Sequence, residues 1–189
     1  MERVTVFVDG AGVYSALKRK QPEVFDCGDG SKRVQYHDLS MKLVGPTREL
    51  VRTYYYDARL KQQHSKEAYQ AQQRFLRAIQ FIPYLDVKLG RIVKANDGRY
   101  KQKGVDVMLA VDMLTYAIRN AYDTAILIAA DEDFVPAVER VKTLGKHVEL
   151  AFPNRKCIQL HDAADSFREL TPEYLSDCLL TPHRRGAAG

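Results

Sequence analysis

The sequence predicts an α/β fold in which a mostly parallel sheet carries helices on both faces. Short β-branched runs alternate along the chain with stretches of helical periodicity, the pattern that produces a parallel sheet with crossover helices. The clearest runs, residues 4–8 and 124–129, are apolar without alternation, as strands covered on both faces must be. Several runs also stop at an Asp, which places turn-forming acids at the strand ends.

Val4-Thr5-Val6-Phe7-Val8 is the first buried strand and stops at Asp9-Gly10. Residues 13–20 follow with helical spacing, Val13, Ala16 and Leu17 sharing a face, and Pro22 ends them. Residues 26–33 are a loop by composition. A short helix covers 37–43, stopped by Gly45-Pro46. The second strand, residues 50–56, contains Tyr54-Tyr55-Tyr56 and ends at Asp57-Ala58; strand packing is the favoured role of the three tyrosines. A long helix spans about 65–82 with Ser65 as N-cap. One of its faces carries Tyr69, Phe75, Leu76, Ile79 and Ile82, and the other Gln70, Gln72, Gln73, Arg74 and Arg77. Residues 86–93 are a third strand, followed by a turn at Asn96-Asp97-Gly98 and a basic loop to Lys103-Gly104. Residues 105–120 form a second strong helix, 124–129 a buried strand ending at Ala130-Asp131-Glu132-Asp133, and 134–144 a helix closed by Gly145. Residues 147–152 are a strand, 158–164 a short helical piece and 167–170 a brief run. Pro172 sits in the first turn of a last helix over 172–177. Residues 1–180 are expected to form one domain and 181–189, without an apolar anchor, a disordered tail.

Composition narrows the function classes. Of 189 residues 46% are hydrophobic and 28% charged, an ordinary globular mixture. No stretch approaches the roughly 20 apolar residues of a membrane helix. The start, Met1-Glu2-Arg3-Val4, enters a strand-like run without the zones of a secretion signal. Cys27, Cys157 and Cys178 are scattered and lack zinc-ligand spacing, so a reducing, cytoplasmic setting is expected. The five histidines stand in separate segments, and neither a G-x-S-x-G elbow nor a phosphate-binding glycine loop is present. Residues 59–103 hold eleven Lys/Arg and three Asp/Glu, a net +8, so the remainder of the +5 chain carries −3. That basic middle suits an anionic partner such as nucleic acid, or is simply a solvated face.

In open parallel sheets the site lies beyond the carboxyl ends of the strands, and carboxylates collect there. Asp9 and Asp57 follow the first two strands, Asp131 and Asp133 follow residues 124–129, and Asp106 opens the second strong helix, where the helix dipole favours an acid. Each has a simpler role as turn former or cap. Crowded acids repel unless a cation joins them, and hard divalent cations take oxygen ligands. Asp112 lies six residues past Asp106, about 240° around the helix from it. In its apolar setting Asp112 needs a partner, either as a group positioning a site residue or as a structural acceptor.

Phe7-Val8-Asp9-Gly10, then Lys103-Gly104-Val105-Asp106-Val107 with Asp112 downstream, then Ala130-Asp131-Glu132-Asp133-Phe134 resembles the NYN-domain family. That family includes LabA-like proteins and belongs to the PIN-like nuclease superfamily. The resemblance runs from Arg3 to Leu170. It implies a three-layer, Rossmann-like α/β/α sandwich with strand one beside residues 124–129, which would put Asp9 and Asp131 on neighbouring strand ends, about 5 Å apart at the backbone. It also implies a Mg²⁺- or Mn²⁺-dependent endoribonuclease with Asp9, Asp106 and Asp131 as metal ligands, Asp133 completing the catalytic group and Asp112 in support. Lys94, Arg99, Tyr100, Lys101 and Lys103, with Arg74 and Arg77 on the long helix, are the candidates for holding single-stranded or structured RNA. The family pattern Asp-Gly-x-Asn is broken here by Gly12, and Ala129-Ala130 stands where Ser-Gly is usual. Gly12 favours the alternative of a non-catalytic RNA-binding or adaptor domain. A receiver-like phosphoacceptor domain fits less well, since its acidic pair follows strand one. The sequence leaves open a homodimer and predicts no membrane partner.

Overall fold

The computed structural model describes residues 1–20, 33–62, 65–94, 100–152 and 157–180. At its centre lies β1 (Arg3–Asp9), buried along almost its whole length. It pairs in parallel with β3 (Glu49–Arg59) on one side and with β6 (Thr124–Ile128) on the other. Outward from β3 come β4 (Leu85–Lys94), parallel, and β5 (Tyr100–Lys103), antiparallel. Outward from β6 come β7 (His147–Phe152) and β8 (Ser166–Glu169), both parallel. The seven-stranded order is therefore β5-β4-β3-β1-β6-β7-β8. A separate two-residue pair joins β2 (Arg33–Val34) to β9 (Leu179–Leu180).

The helices are α1 (Gly10–Lys20), α2 (Tyr36–Val44), α3 (Lys66–Ile79), α4 (Val105–Ile118), α5 (Val135–Thr143), α6 (Ile158–Ala163) and α7 (Pro172–Leu175). Strand alternation sends Val4, Val6 and Val8 into a core with Leu17 of α1, Leu39 of α2 and Leu76 of α3. Phe7 points the other way, into a core with Leu109 and Met113 of α4, Val138 of α5 and Leu160 of α6. The result is the expected α/β/α sandwich. From β1 the chain winds out to β5; α4 then carries it back to β6 on the opposite side of β1, and winding resumes outward. Direction reverses between β1 and β6, the kind of position at which open α/β sheets place a site beyond the strand ends.

The local signals mostly act as read. Ser65 caps α3, its hydroxyl accepting from the Ala68 N–H at 3.2 Å. Gly145 closes α5 with φ +73°, and Asn120 takes a left-handed φ of 53° just past α4. The tyrosines of β3 pack within the sheet: Tyr55 and Tyr56 are buried, and Tyr54 stacks on Phe7 and Tyr116. Residues 100–103 correct the basic-loop expectation, since they form β5 as an edge strand on β4. Lys-Gln-Lys carries no apolar alternation, and a charged edge strand is held by main-chain pairing rather than by a buried face. The long helix stops at Ile79, before Pro83 and the left-handed Tyr84, and the last helix is a short α7 followed by a 3-10 turn over Ser176–Cys178. Residues 21–32, the turn at 96–98 and the tail 181–189 lie outside the described residues. Cys157 and Cys178 are both free. Among the described residues no helix is long and apolar enough to cross a membrane.

Candidate active site

Asp9 is the last residue of β1, and its side chain is only 4% exposed. Its Oδ1 accepts a hydrogen bond from the Gly12 N–H at 3.1 Å. Burial lifts its pKa to about 6; the Gly12 bond acts in the opposite sense, and Asp106, Asp131 and Asp57 push it further up. The glycines that open α1 allow this arrangement. A Cβ on Gly12 would stand 1.9 Å from Asp9 Oδ2, and one on Gly10 would stand 2.2 Å from the Tyr55 ring. The Asp9 carboxylate thus occupies the space that a side chain at residue 12 would need.

Asp106 reaches the same rim from α4. The chain turns from β5 into that helix at Gly104, whose φ of +83° suits glycine. Asp106 is exposed in the first helical turn; partial desolvation raises its pKa, with Asp131 and Asp133 adding to the shift. Asp131 follows β6 as the extended cap of a 3-10 turn over Glu132–Phe134, its Oδ1 accepting from the Asp133 N–H at 3.0 Å. The capping role is therefore real, and it leaves the side chain exposed. Asp133 is exposed beside it. Asp9, Asp106, Asp131 and Asp133 come from three separated segments and act on one another electrically. Among the described residues, no group of three or more His, Cys, Asp or Glu side chains stands in a metal-holding arrangement. The donor chemistry nonetheless fits Mg²⁺ or Mn²⁺: all are carboxylates, the most buried one answered by a single N–H, and such ions take one or two carboxylates with waters completing the shell.

Two neighbours were not among the expected site residues. Asp57 of β3 is a half-buried acid whose pKa desolvation raises, while the Ala58 N–H at 2.7 Å and the Gln72 amide at 3.2 Å favour its charged form. Its position after the second strand was the available signal. The Cys157 thiol donates to the Ala130 carbonyl at 2.9 Å; burial first, then Glu132 and Asp131, raise its pKa and keep it a thiol. Nothing in the local sequence announces that contact.

Asp112 has its partners elsewhere. Its Oδ2 accepts from Lys88 Nζ at 2.6 Å and from the Tyr56 hydroxyl at 2.8 Å. Lys88 also donates to the Tyr116 hydroxyl at 2.9 Å and lies 4.8 Å from the Tyr54 ring centre. Burial pulls the Lys88 pKa down, but its bonds to Asp112 and Tyr116 outweigh that and leave it raised. Asp112 thus ties α4 to β3 and β4. Of the RNA-binding candidates, Lys103 is exposed next to Gly104, and Arg74 and Arg77 are exposed on α3. Arg99 and the side chains of Lys94, Tyr100 and Lys101 lie outside the described part.

A family model for the NYN domain matches residues 3–171. Among solved structures, a protein of unknown function from Vibrio parahaemolyticus is similar with a TM-score of 0.66 and 23% identity, over 95% of this chain and 96% of that one. MurG of Acinetobacter baumannii aligns at a TM-score of 0.42 and 14% identity, over 91% of this chain and 42% of that one, too distant to bear on function. No curated protein matches the chain.

Proposed function

The chain belongs to the NYN domain family, a family of PIN-like nucleases, and on that premise we propose that it is a Mg²⁺- or Mn²⁺-dependent endoribonuclease. The observation that carries the reading is Asp9: a buried carboxylate at the strand-order reversal whose pKa Asp106 and Asp131 push up, with the Gly12 N–H its one hydrogen-bond donor among the described residues. Asp9, Asp106 and Asp131 would hold the ion, directly or through its waters. A bound divalent ion would supply an activated water and neutralise charge developing on the phosphate. Asp133 completes the acidic rim and holds the 3-10 turn through its N–H to Asp131. Lys103, three residues before Asp106, places an ammonium where a phosphate would enter. Asp112 acts indirectly, fixing the helix from which Asp106 projects. Residues 1–180 would act as one unit on single-stranded or structured RNA, and the free thiols fit a reducing cytoplasm.

Gly12 favours a second reading, an RNA-binding or adaptor domain without turnover, since backbone stands where the family carries an amide. Asp9→Asn separates the two. The change is nearly isosteric and keeps an acceptor for Gly12. On the nuclease reading it lowers Mn²⁺-dependent cleavage of labelled RNA by at least about 10²-fold, because the ligand set stabilises transition-state charge through the ion. Wild-type protein that binds RNA but leaves it intact in Mn²⁺ and in Mg²⁺ would establish the second reading.

A further inference from the structure

Several cations on this sheet and its helices are answered by acids. Arg3 pairs with Asp123, Arg48 with Glu149, Arg52 with Asp86, Lys88 with Asp112 and Lys142 with Asp165. At one corner cations instead stand opposite one another. In the β3–β4 register Arg59 stands opposite Arg91, and in the β4–β5 register Arg91 stands opposite Lys103. Residues directly opposed in register project from the same face, so three cations lie side by side across three neighbouring strands. All three are exposed, and among the described residues none of their side chains makes a hydrogen bond or ion pair. The row spans two strand spacings, roughly 10 Å. Like charges placed directly opposite one another destabilise a sheet, so the arrangement costs the fold something and gains nothing from within it.

We propose that Arg59, Arg91 and Lys103 form a rail for consecutive phosphates of an RNA strand, delivering the strand to the acidic rim. The row ends at Lys103, and Gly104 then turns the chain into the helix whose first turn bears Asp106. Strand pairing fixes the spacing of the three side chains on a rigid support, which suits a regularly charged polyanion. No base-reading group takes part, so the rail holds backbone and is indifferent to sequence. Arg74 and Arg77 extend the positive surface, since α3 packs its Leu76 and Ile79 on the core that contains Val87 and Leu89 of β4. The proposal rests on the nuclease reading only for the identity of the strand; the rail itself binds without cleavage.

The test is fluorescence anisotropy of a labelled single-stranded oligoribonucleotide in EDTA, where nothing is cut, with KCl varied between about 50 and 200 mM. For single strands each phosphate contact contributes about −0.7 to the slope of log K against log salt. The double variant Arg59→Gln/Arg91→Gln should bind about tenfold more weakly at the lower salt and have a slope flatter by about 1.4. Arg119→Gln/Arg140→Gln removes the same charge from two other exposed arginines and should change little. Melting temperature supplies an independent readout: relief of the like-charge row should leave the Arg59/Arg91 variant as stable as wild type or more so at low salt. Wild-type affinity and slope in that variant would overturn the rail, as would equal losses in both double variants or no RNA binding by the wild type. A rail-dependent wild type that never cleaves in Mn²⁺ would keep the rail and remove the nuclease reading. Normal cleavage with an unchanged KM in the Arg59/Arg91 variant would do the reverse.

Discussion

Asp9 and Asp112 are two acids withdrawn from solvent on either side of Tyr56. Tyr56 is opposite Asp9 in the β1–β3 register, and its hydroxyl donates to Asp112. Asp112 is fully answered, by a lysine at 2.6 Å and a tyrosine at 2.8 Å inside an aromatic setting. Asp9 is answered by one backbone N–H and surrounded by other acids. A fold that gives one half-buried carboxylate an ammonium and a hydroxyl, and a fully buried one a single N–H, treats them differently. The first ties α4 to β3 and β4; on the proposed reading, the second would take its countercharge from a bound ion.

The comparison breaks first at Lys88. Lys88→Met removes the countercharge and leaves Asp112 withdrawn from solvent without it, so urea unfolding should show a loss of about 2–4 kcal/mol, toward the lower end because the pair is partly exposed. A loss below about 0.5 kcal/mol would mean that the pair behaves as a surface bridge. A smaller effect, of opposite sign, is expected at the other acid. The folded-state pKa of Asp9 is raised above its unfolded value, so the fold favours the neutral form. In EDTA, wild-type stability should therefore fall as pH rises from about 4 to about 6, and Asp9→Asn should lack that decline. At pH 7 the variant should be more stable by on the order of 1–2 kcal/mol. A variant that is less stable than wild type at pH 7 without metal would show that charged Asp9 is compensated after all. The smallest effect belongs to Asp123, whose hydrogen bonds to Arg3 lower its pKa to about 2. The folded pKa is depressed, so this contribution is present above the ordinary carboxylate range and is lost as pH falls toward 2. Asp123→Asn should therefore lower stability slightly at neutral pH, by an amount that vanishes as pH falls toward 2, and the effect stays small because the pair is exposed and screened.

The features legible in the sequence are those encoded locally. A β-branched run ending in Asp gives both the strand and the acid at its end, which is why Asp9 and Asp131 could be placed on one rim. Lys103-Gly104 before a helical period places Asp106 in a first turn. The partner of Asp112 was not legible, because Lys88 is 24 residues away and becomes a neighbour only through the packing of α4 on β4. The row of Arg59, Arg91 and Lys103 depends on two registers at once, and β5 itself has no apolar face to announce it. The role of Gly12 is a matter of distance: a missing side chain is visible in a sequence, but the 1.9 Å approach that makes its absence necessary is not.

The central claim is that the rim at the β1–β6 reversal holds a divalent ion. Isothermal titration of Mn²⁺ into the metal-free protein at neutral pH tests it most directly, with Asp9→Asn beside wild type and Asp86→Asn as a control that removes a paired acid of β4. The expected result is Mn²⁺ binding in wild type and in the Asp86 variant, and binding weakened by at least about tenfold in the Asp9 variant. Undetectable binding by wild type, or equal affinity in all three proteins, would contradict the account.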